Sequence, residues 1–208
     1  MAEADASGLS ATHGAPDDQA LVVAIQRGDA GALDVLVGRY HAPLTQFLDR
    51  LLGDPDTAAD LAQETFLKMM RALPRYEPRA RFSTWLYTIA HHLALDYLRR
   101  HRTRQARTDS LDDPYRAGAE PATDARLTSD AALDRVARED VRRALGSLSP
   151  EHRAVMLLHY FESMSYKEIA EAVGCTVGTV GSRLHYAVRH VRRELGLSDN
   201  DQAGSHRR

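Results

Sequence analysis

The sequence predicts an all-α protein of two small helical domains joined by a flexible acidic linker, the C-terminal one containing a helix-turn-helix. Three observations predict it. Apolar residues recur at three- and four-residue intervals through the patterned segments, as in Val177, Val180, Leu184, Val188, Val191 and Leu195. Helix-start residues stand directly before several of these segments, at Asp29, Asp54, Ser149, Ser165 and Thr176. The periodicity stops over residues 105–130, QARTDSLDDPYRAGAEPATDARLTSD, which are rich in Asp, Ala, Gly and Pro and read as an extended linker.

A chain of 208 residues with 43% hydrophobic content can build one large domain or two small ones. The net charge is only -2, but its distribution is uneven. Residues 1–60 hold ten acids against three arginines, residues 71–107 nine arginines against Glu77 and Asp96, and residues 108–140 nine acids against four arginines. From Gly174 to Arg193 there are four arginines and no acid. Two basic surfaces separated by acidic segments can meet DNA at two places while the free chain stays nearly neutral.

Cys175 is the single cysteine, so no intramolecular disulfide forms. The start, MAEADASGLSATHGAP, lacks the basic and apolar blocks of a signal peptide, and no apolar run approaches a membrane span, so a cytoplasmic, soluble protein without membrane insertion is expected. His91, His92, His185 and His190 are paired or nearly so, but adjacent histidines point to different helix faces and no carboxylate or cysteine completes a ligand set. Neither a metal nor a cofactor is expected. A phosphate loop, a nucleophile elbow and a catalytic constellation are also missing, which argues against an enzyme.

Residues 1–17 are small, polar and aperiodic and read as a disordered tail. The first domain, 18–104, opens with a short helix from Asp18 to Arg27, closed by Gly28. A longer helix follows, capped by Asp29, with Leu33, Leu36, Val37, Tyr40, Leu44, Phe47, Leu48 and Leu51 on one face and a kink expected at Pro43. Asp54 caps a third, with Pro55 at its first position and Leu61, Ala62, Thr65, Phe66 and Met69 as the inner stripe. Outside, Asp60, Gln63 and Glu64 stand at i, i+3 and i+4 and form one polar patch, which by spacing alone is an ordinary solvated face. The loop from Leu73 to Arg81 combines arginines with an exposed-looking Tyr76, a combination that suits a nucleic-acid strand. In the next helix Phe82, Leu86, Ile89, Leu93 and Tyr97 form the core stripe with Trp85 beside it, and the C-terminal arginines exceed what capping requires.

The second domain, 131–197, begins with a helix from Ala131 to Gly146 and a second started by Ser149 and Pro150. Ser165 and Glu168 then form a capping box, Gly174 supplies a left-handed cap, and Thr176 starts the last helix. Its polar face carries Thr179, Ser182, Arg183, His185, Tyr186 and Arg189. A capping box, a glycine turn and a basic polar face together favour DNA binding over a merely solvated or membrane-facing helix. Residues 198–208 read as a second disordered tail.

In order along the chain, DLAQETFLKMMRALPRY, FSTWLYTIAHHLALDYLRR and LSPEHRAVMLLHYFESMSYKEIAEAVGCTVGTVGSRL resemble the extracytoplasmic-function (ECF, group IV) sigma factors of bacterial RNA polymerase, and the likeness spans nearly all of 18–196. It implies a subunit that binds the core polymerase through its beta and beta-prime subunits, directs it to promoter DNA and melts it. Asp60, Gln63, Glu64, Phe66 and Leu67 would dock on the polymerase clamp. Arg75, Tyr76, Arg79, Arg81, Trp85, His92, Arg99 and Arg100 would take the -10 element, with one base flipped out of the stack at a cost of about a few kcal/mol. Thr179, Ser182, Arg183, Tyr186 and Arg189 would read the -35 element. The resemblance also implies an anti-sigma factor partner, a monomeric free chain, and a linker whose Asp109, Asp112 and Asp113 follow the RNA path. The chain departs from the family at His92, usually asparagine, and at Gly181 and Tyr186, where basic residues are common.

Two other classes compete. A two-domain repressor would footprint DNA unaided, and a metal-dependent enzyme built on the histidines would carry bound metal.

Overall fold

The computed structural model describes residues 16–108 and 129–197, and among these it contains eight α-helices. They are α1 (Asp18–Gln26), α2 (Ala30–Leu52), α3 (Pro55–Ala72), α4 (Phe82–Thr108), α5 (Ser129–Gly146), α6 (Pro150–Tyr160), α7 (Tyr166–Val173) and α8 (Val177–Glu194). Their starts follow local chemistry. The side chains of Asp17, Asp29, Asp54, Ser149, Ser165 and Thr176 each accept a hydrogen bond from an amide of the first turn, satisfying donors that the helix itself cannot reach. Pro55 and Pro150 occupy first-turn positions where a missing amide does no harm. α2 runs unbroken through Pro43.

In the N-terminal domain α1 to α4 enclose Leu36, Leu44, Phe47, Leu48, Leu51, Met69, Leu73 and Leu86, each almost fully buried. Burial of such a side chain contributes about 1.5–3 kcal/mol, so this apolar set is what holds the four helices together. In the C-terminal domain Val155, Leu157, Leu158, Ile169, Val180 and Ala187 form the equivalent centre. Asp18 ties the first domain's edge, accepting hydrogen bonds from Arg39 and the Tyr40 hydroxyl. Burial and the neighbouring Asp18 carboxylate push the Tyr40 phenol well above its ordinary range.

The two domains also pack on each other, α7 against α4 and α6 against α2. Arg153 is central to this contact. Its Nε donates to Leu145 O at 2.7 Å and its Nη2 to Leu148 O at 3.0 Å, while its Nη1 crosses to Leu51 O at 2.7 Å. One guanidinium therefore satisfies C-terminal carbonyls of α5 and α2, groups with no partner inside their own helices. Beside it the Arg50 guanidinium lies 4.1 Å from the centre of the Phe161 ring, and Arg142 pairs with Asp49 at 3.3 Å. On the other flank the buried Tyr87 hydroxyl donates to the Glu162 carboxylate.

Several expectations need correction. α4 continues to Thr108 and α5 starts at Ser129, so the ends of the expected linker, 105–108 and 129–130, are helical; the remainder, with Asp109, Asp112 and Asp113, lies outside the described residues. The expected tail is shorter too, because Asp17 caps α1 and Pro16 O accepts from Arg39 at 2.7 Å; residues 1–15 and 198–208 lie outside the described residues. Val177, assigned to the core stripe of α8, is 49% exposed while Ala187 takes its share of the buried face.

Gly181 lies inside α8, and a Cβ built there meets nothing nearer than Tyr166 Cε2 at 3.8 Å. Gly181→Ala should therefore raise stability by about 1 kcal/mol through helix propensity, read as a higher urea midpoint with an unchanged slope.

Candidate nucleic-acid and polymerase interfaces

The helix-turn-helix is set by its own punctuation. The Ser165 amide donates to Glu168 Oε2 at 2.8 Å while the Glu168 amide donates to Ser165 Oγ at 3.3 Å, which fixes where α7 begins. Bonds from Ser165 hold the Glu168 carboxyl below its ordinary range. Gly174, at φ +69°, makes the left-handed cap that turns the chain, and Thr176 Oγ1 then accepts from the Thr179 amide to start α8. α8 presents Ser182, Tyr186 and Arg189 to solvent and leaves Thr179 and Arg183 half-buried. Ser182 Oγ donates to Thr179 O at 3.0 Å, so its lone pairs face outward.

Tyr186 is held in place by imidazoles. Its ring, 54% exposed, lies 4.6 Å from that of His152 and stacks on His190 at 6.0 Å, and His190 is fixed by Ser147 at 2.8 Å. A propped, amphipathic ring at the middle of a basic helix face suits contact with a base or sugar. Sequence periodicity did not reveal His152, which reaches Tyr186 from α6.

On the N-terminal domain, the loop after the 3-10 turn Leu73–Arg75 is built around Tyr76. The tyrosine expected to be exposed is half-buried: its ring lies 4.4 Å from Trp85 and 6.2 Å from Phe82, and its hydroxyl donates to Ala80 O at 3.2 Å. Gln26 of α1 adds two bonds from its side-chain amide, to Leu73 O at 3.0 Å and Tyr76 O at 2.9 Å. A lone glutamine near a helix end gave no sequence signal for this role. Arg75, Arg79 and Arg81 are exposed in and beside this loop, and His92, Arg99 and Arg100 are exposed farther along α4, with Arg79 paired to Glu77, Arg99 to Asp96 and Arg81 to Glu168 of α7 at 3.2 Å.

The outer face of α3 shows Asp60, Gln63, Glu64 and Lys68 with Leu67 and Met70 among them, the last two 48% and 36% exposed. A polar face with two apolar side chains fits a protein partner better than bare solvent. Phe66 does not belong to it. Its ring is 7% exposed and lies parallel to that of His41, so it supports the face from beneath because the helix period turns it inward.

Among the described residues there is no group of three or more histidine, cysteine, aspartate or glutamate side chains that could hold a metal ion, and no helix is long and apolar enough to cross a membrane. As expected of neighbours on a helix, His92 is exposed and His91 is buried at 2%.

Family models described as Sigma-70 region 2 and Sigma-70 region 4 match residues 36–104 and 138–191. The chain is 33% identical to the RNA polymerase sigma-H factor of Pseudomonas aeruginosa over 86% of its own length and 93% of the relative's. The chain belongs to the ECF sigma factors. It is also 30% identical to the ECF RNA polymerase sigma factor SigW of Bacillus subtilis, over 82% of this chain and 92% of that one. Among solved structures it resembles one described as CnrH in complex with the cytosolic domain of CnrY, with a TM-score of 0.62, 27% identity, and coverage of 86% of this chain and 97% of that one. ECF sigma factors bind core RNA polymerase and direct it to promoters, and this sigma factor carries both of the family's matched regions. Region 2 corresponds to α2 through most of α4, and region 4 to the end of α5 through α8.

His91 gives this sigma factor a pH response. Burial first, then the charges of His92 and Arg183, lower its pKa from 6.5 to about 4, with Glu151 opposing. Because the folded value lies below that of the unfolded chain, unfolding takes up a proton between them; the contribution is complete above about pH 6.5 and is lost as the pH falls toward about 4. Urea unfolding should show a loss of about 2 kcal/mol between about pH 7.5 and about pH 5 from this group, and His91→Gln should remove that slope.

Proposed function

We propose that the outer face of α3 carries the clamp contact with core polymerase through Asp60, Gln63, Glu64 and Leu67, that the 73–81 loop and α4 take the -10 element, and that α8 reads the -35 element. The observation that carries this reading is the order of two sigma-type blocks in one chain, each with an exposed basic surface next to an ordered aromatic. In α8 Arg183 is the candidate for a bidentate base contact, Tyr186 and Thr179 for apolar or hydroxyl contact, Ser182 for either, and Arg189 for phosphate. In the first domain Trp85 and Tyr76 offer a stacking platform for an unpaired base while Arg75, Arg79, Arg81, Arg99 and Arg100 meet the backbone, with His92 placed to bond a base edge.

The chain works where polymerase works, in the cytoplasm, and contributes binding energy and DNA distortion, not a catalysed reaction of its own. The structural relative CnrH is seen with the cytosolic domain of CnrY, which supports a comparable anti-sigma partner for this chain.

Purified chain plus core polymerase should start transcripts at genomic promoters, whereas tight unaided occupancy of operators without initiation would replace this reading with a repressor. Arg183→Ala should weaken use of the -35 element about 10- to 100-fold, on the order of 1–3 kcal/mol, with core binding intact, as read by run-off transcription beside co-purification. Gln63→Ala with Glu64→Ala should lower co-purification with core polymerase while leaving helix content unchanged; undiminished co-purification would remove α3 from the interface.

A further inference from the structure

On the polar face of α8 the short hydroxyl side chains are already engaged. Thr179 shares a hydroxyl contact of 2.9 Å with Thr176, and Ser182 Oγ donates to Thr179 O at 3.0 Å, so both are tied into the helix itself. Tyr186, a turn farther on, is different: its ring is 54% exposed and its hydroxyl makes no hydrogen bond among the described residues.

This exposed ring is nevertheless held still. His152, reaching from α6, stands 4.6 Å away at a tilt of 50°, and His190, one turn on, stacks at 6.0 Å and 17°. Both imidazoles are anchored in turn. The Ser147 hydroxyl donates its hydrogen to Ala144 O at 2.8 Å, so its 2.8 Å contact with His190 is a bond accepted from the Nε2 hydrogen, and His190 Nδ1 is left to accept from Arg193 at 2.9 Å. His152 Nδ1 lies 2.7 Å from Ser149 Oγ at the start of α6. Burial first, then the charge of Arg183, hold the His152 imidazole below its ordinary range against the pull of Glu151, so it stands beside Tyr186 as a neutral ring and not as a cation for phosphate.

A fixed, uncharged ring suits one partner in the major groove. Guanine, cytosine and adenine show only donors and acceptors there, whereas thymine adds a 5-methyl group. A held phenol offers apolar ring carbon at one place and loses little rotamer freedom when it makes the contact. Such a contact needs carbon atoms within about 4 Å, so a ring free to swing away forfeits it.

We propose that His152 is a specificity-determining residue of the -35 reader: from α6, outside the helix that enters the groove, it holds the Tyr186 ring where that ring meets the 5-methyl group of a thymine. This rests on the reading of α8 as the -35 helix and adds the base that Tyr186 selects. His152 is a positioning residue, acting on the tyrosine and through it on the DNA.

The test uses the full chain with core polymerase on a promoter found by transcript mapping, each -35 thymine of either strand being replaced in turn by deoxyuridine, which removes only the methyl group. The wild-type protein should lose about fourfold in promoter affinity at one position, the worth of one buried methyl, and Tyr186→Ala should make thymine and uracil equal there. His152→Ala keeps the main-chain amide that bonds Ser149 Oγ, and should bring the thymine-to-uracil ratio near unity while preferences elsewhere in the element persist. A merely structural role would weaken every sequence alike and leave that ratio unmoved. His152→Phe, which returns a ring without the imidazole, should restore it. Should His152→Ala lose helix content, His152→Gln, which keeps reach and polarity without the ring, takes its place with the same expectation. No uracil-sensitive thymine in the wild type, an unchanged ratio without the ring, or a ratio that His152→Phe leaves lost overturns the inference. Replacing the whole -35 element separates the two levels. If that costs no binding, the assignment of α8 falls and this inference with it; if it costs binding and no thymine depends on His152, the inference alone falls.

Discussion

The structure depends on α4 being buried on two sides. One side, with Phe82, Leu86 and Leu93, completes the N-terminal core; the other, with Thr84 and His91, lies under the C-terminal domain. A helix used in this way must satisfy opposite demands on its two faces. The core side is apolar and gains from permanent burial, whereas the interdomain side keeps hydroxyl and imidazole groups that are better solvated than buried. The arrangement separates what holds a domain together from what holds the domains to each other.

The same division governs charge. Arg153 is a deeply placed guanidinium surrounded by carbonyl oxygens, and its burial lowers its pKa without removing its charge at any ordinary pH. Replacing it would leave C-terminal carbonyls of two helices unpaired. Arg142 and Arg81, by contrast, are exposed guanidiniums paired with the part-buried Asp49 and Glu168, and solvent around the arginines keeps each pair to about 1 kcal/mol or less. Interdomain affinity therefore concentrates on Arg153 and the Tyr87 and Glu162 contact, with the outer pairs guiding approach.

The parts of the fold legible in the sequence are those decided within a few residues. Asp29, Asp54, Ser149, Ser165 and Thr176 announce their helices because a cap needs only a side-chain oxygen and an amide three positions on, and Gly174 announces its turn because a left-handed backbone disfavours a Cβ. The polar face of α8 was legible for the same reason, since its register follows from the helix period alone. The second buried face of α4 was not, because Thr84 and His91 carry no apolar signal and their burial comes from a domain distant in the chain. Tyr76 was misjudged from its polar neighbours: its partners Gln26 and Trp85 lie 50 and 9 positions away, where no local rule reaches. Phe66 shows the limit of carrying a motif over as a set, since one helix turn contains residues of both faces.

With the 73–81 segment taken, as proposed, to receive the -10 element, its strapping by Gln26, Trp85 and its own Ala80 carbonyl bears on how a promoter is chosen. A receptacle moulded before its guest arrives spends none of the guest's attraction on its own ordering. Rival sequences would then be sorted by how long each stays seated, not by a slow reshaping of the host, and loosening the strap at Gln26 would blunt that choosiness even though no nucleotide touches the amide.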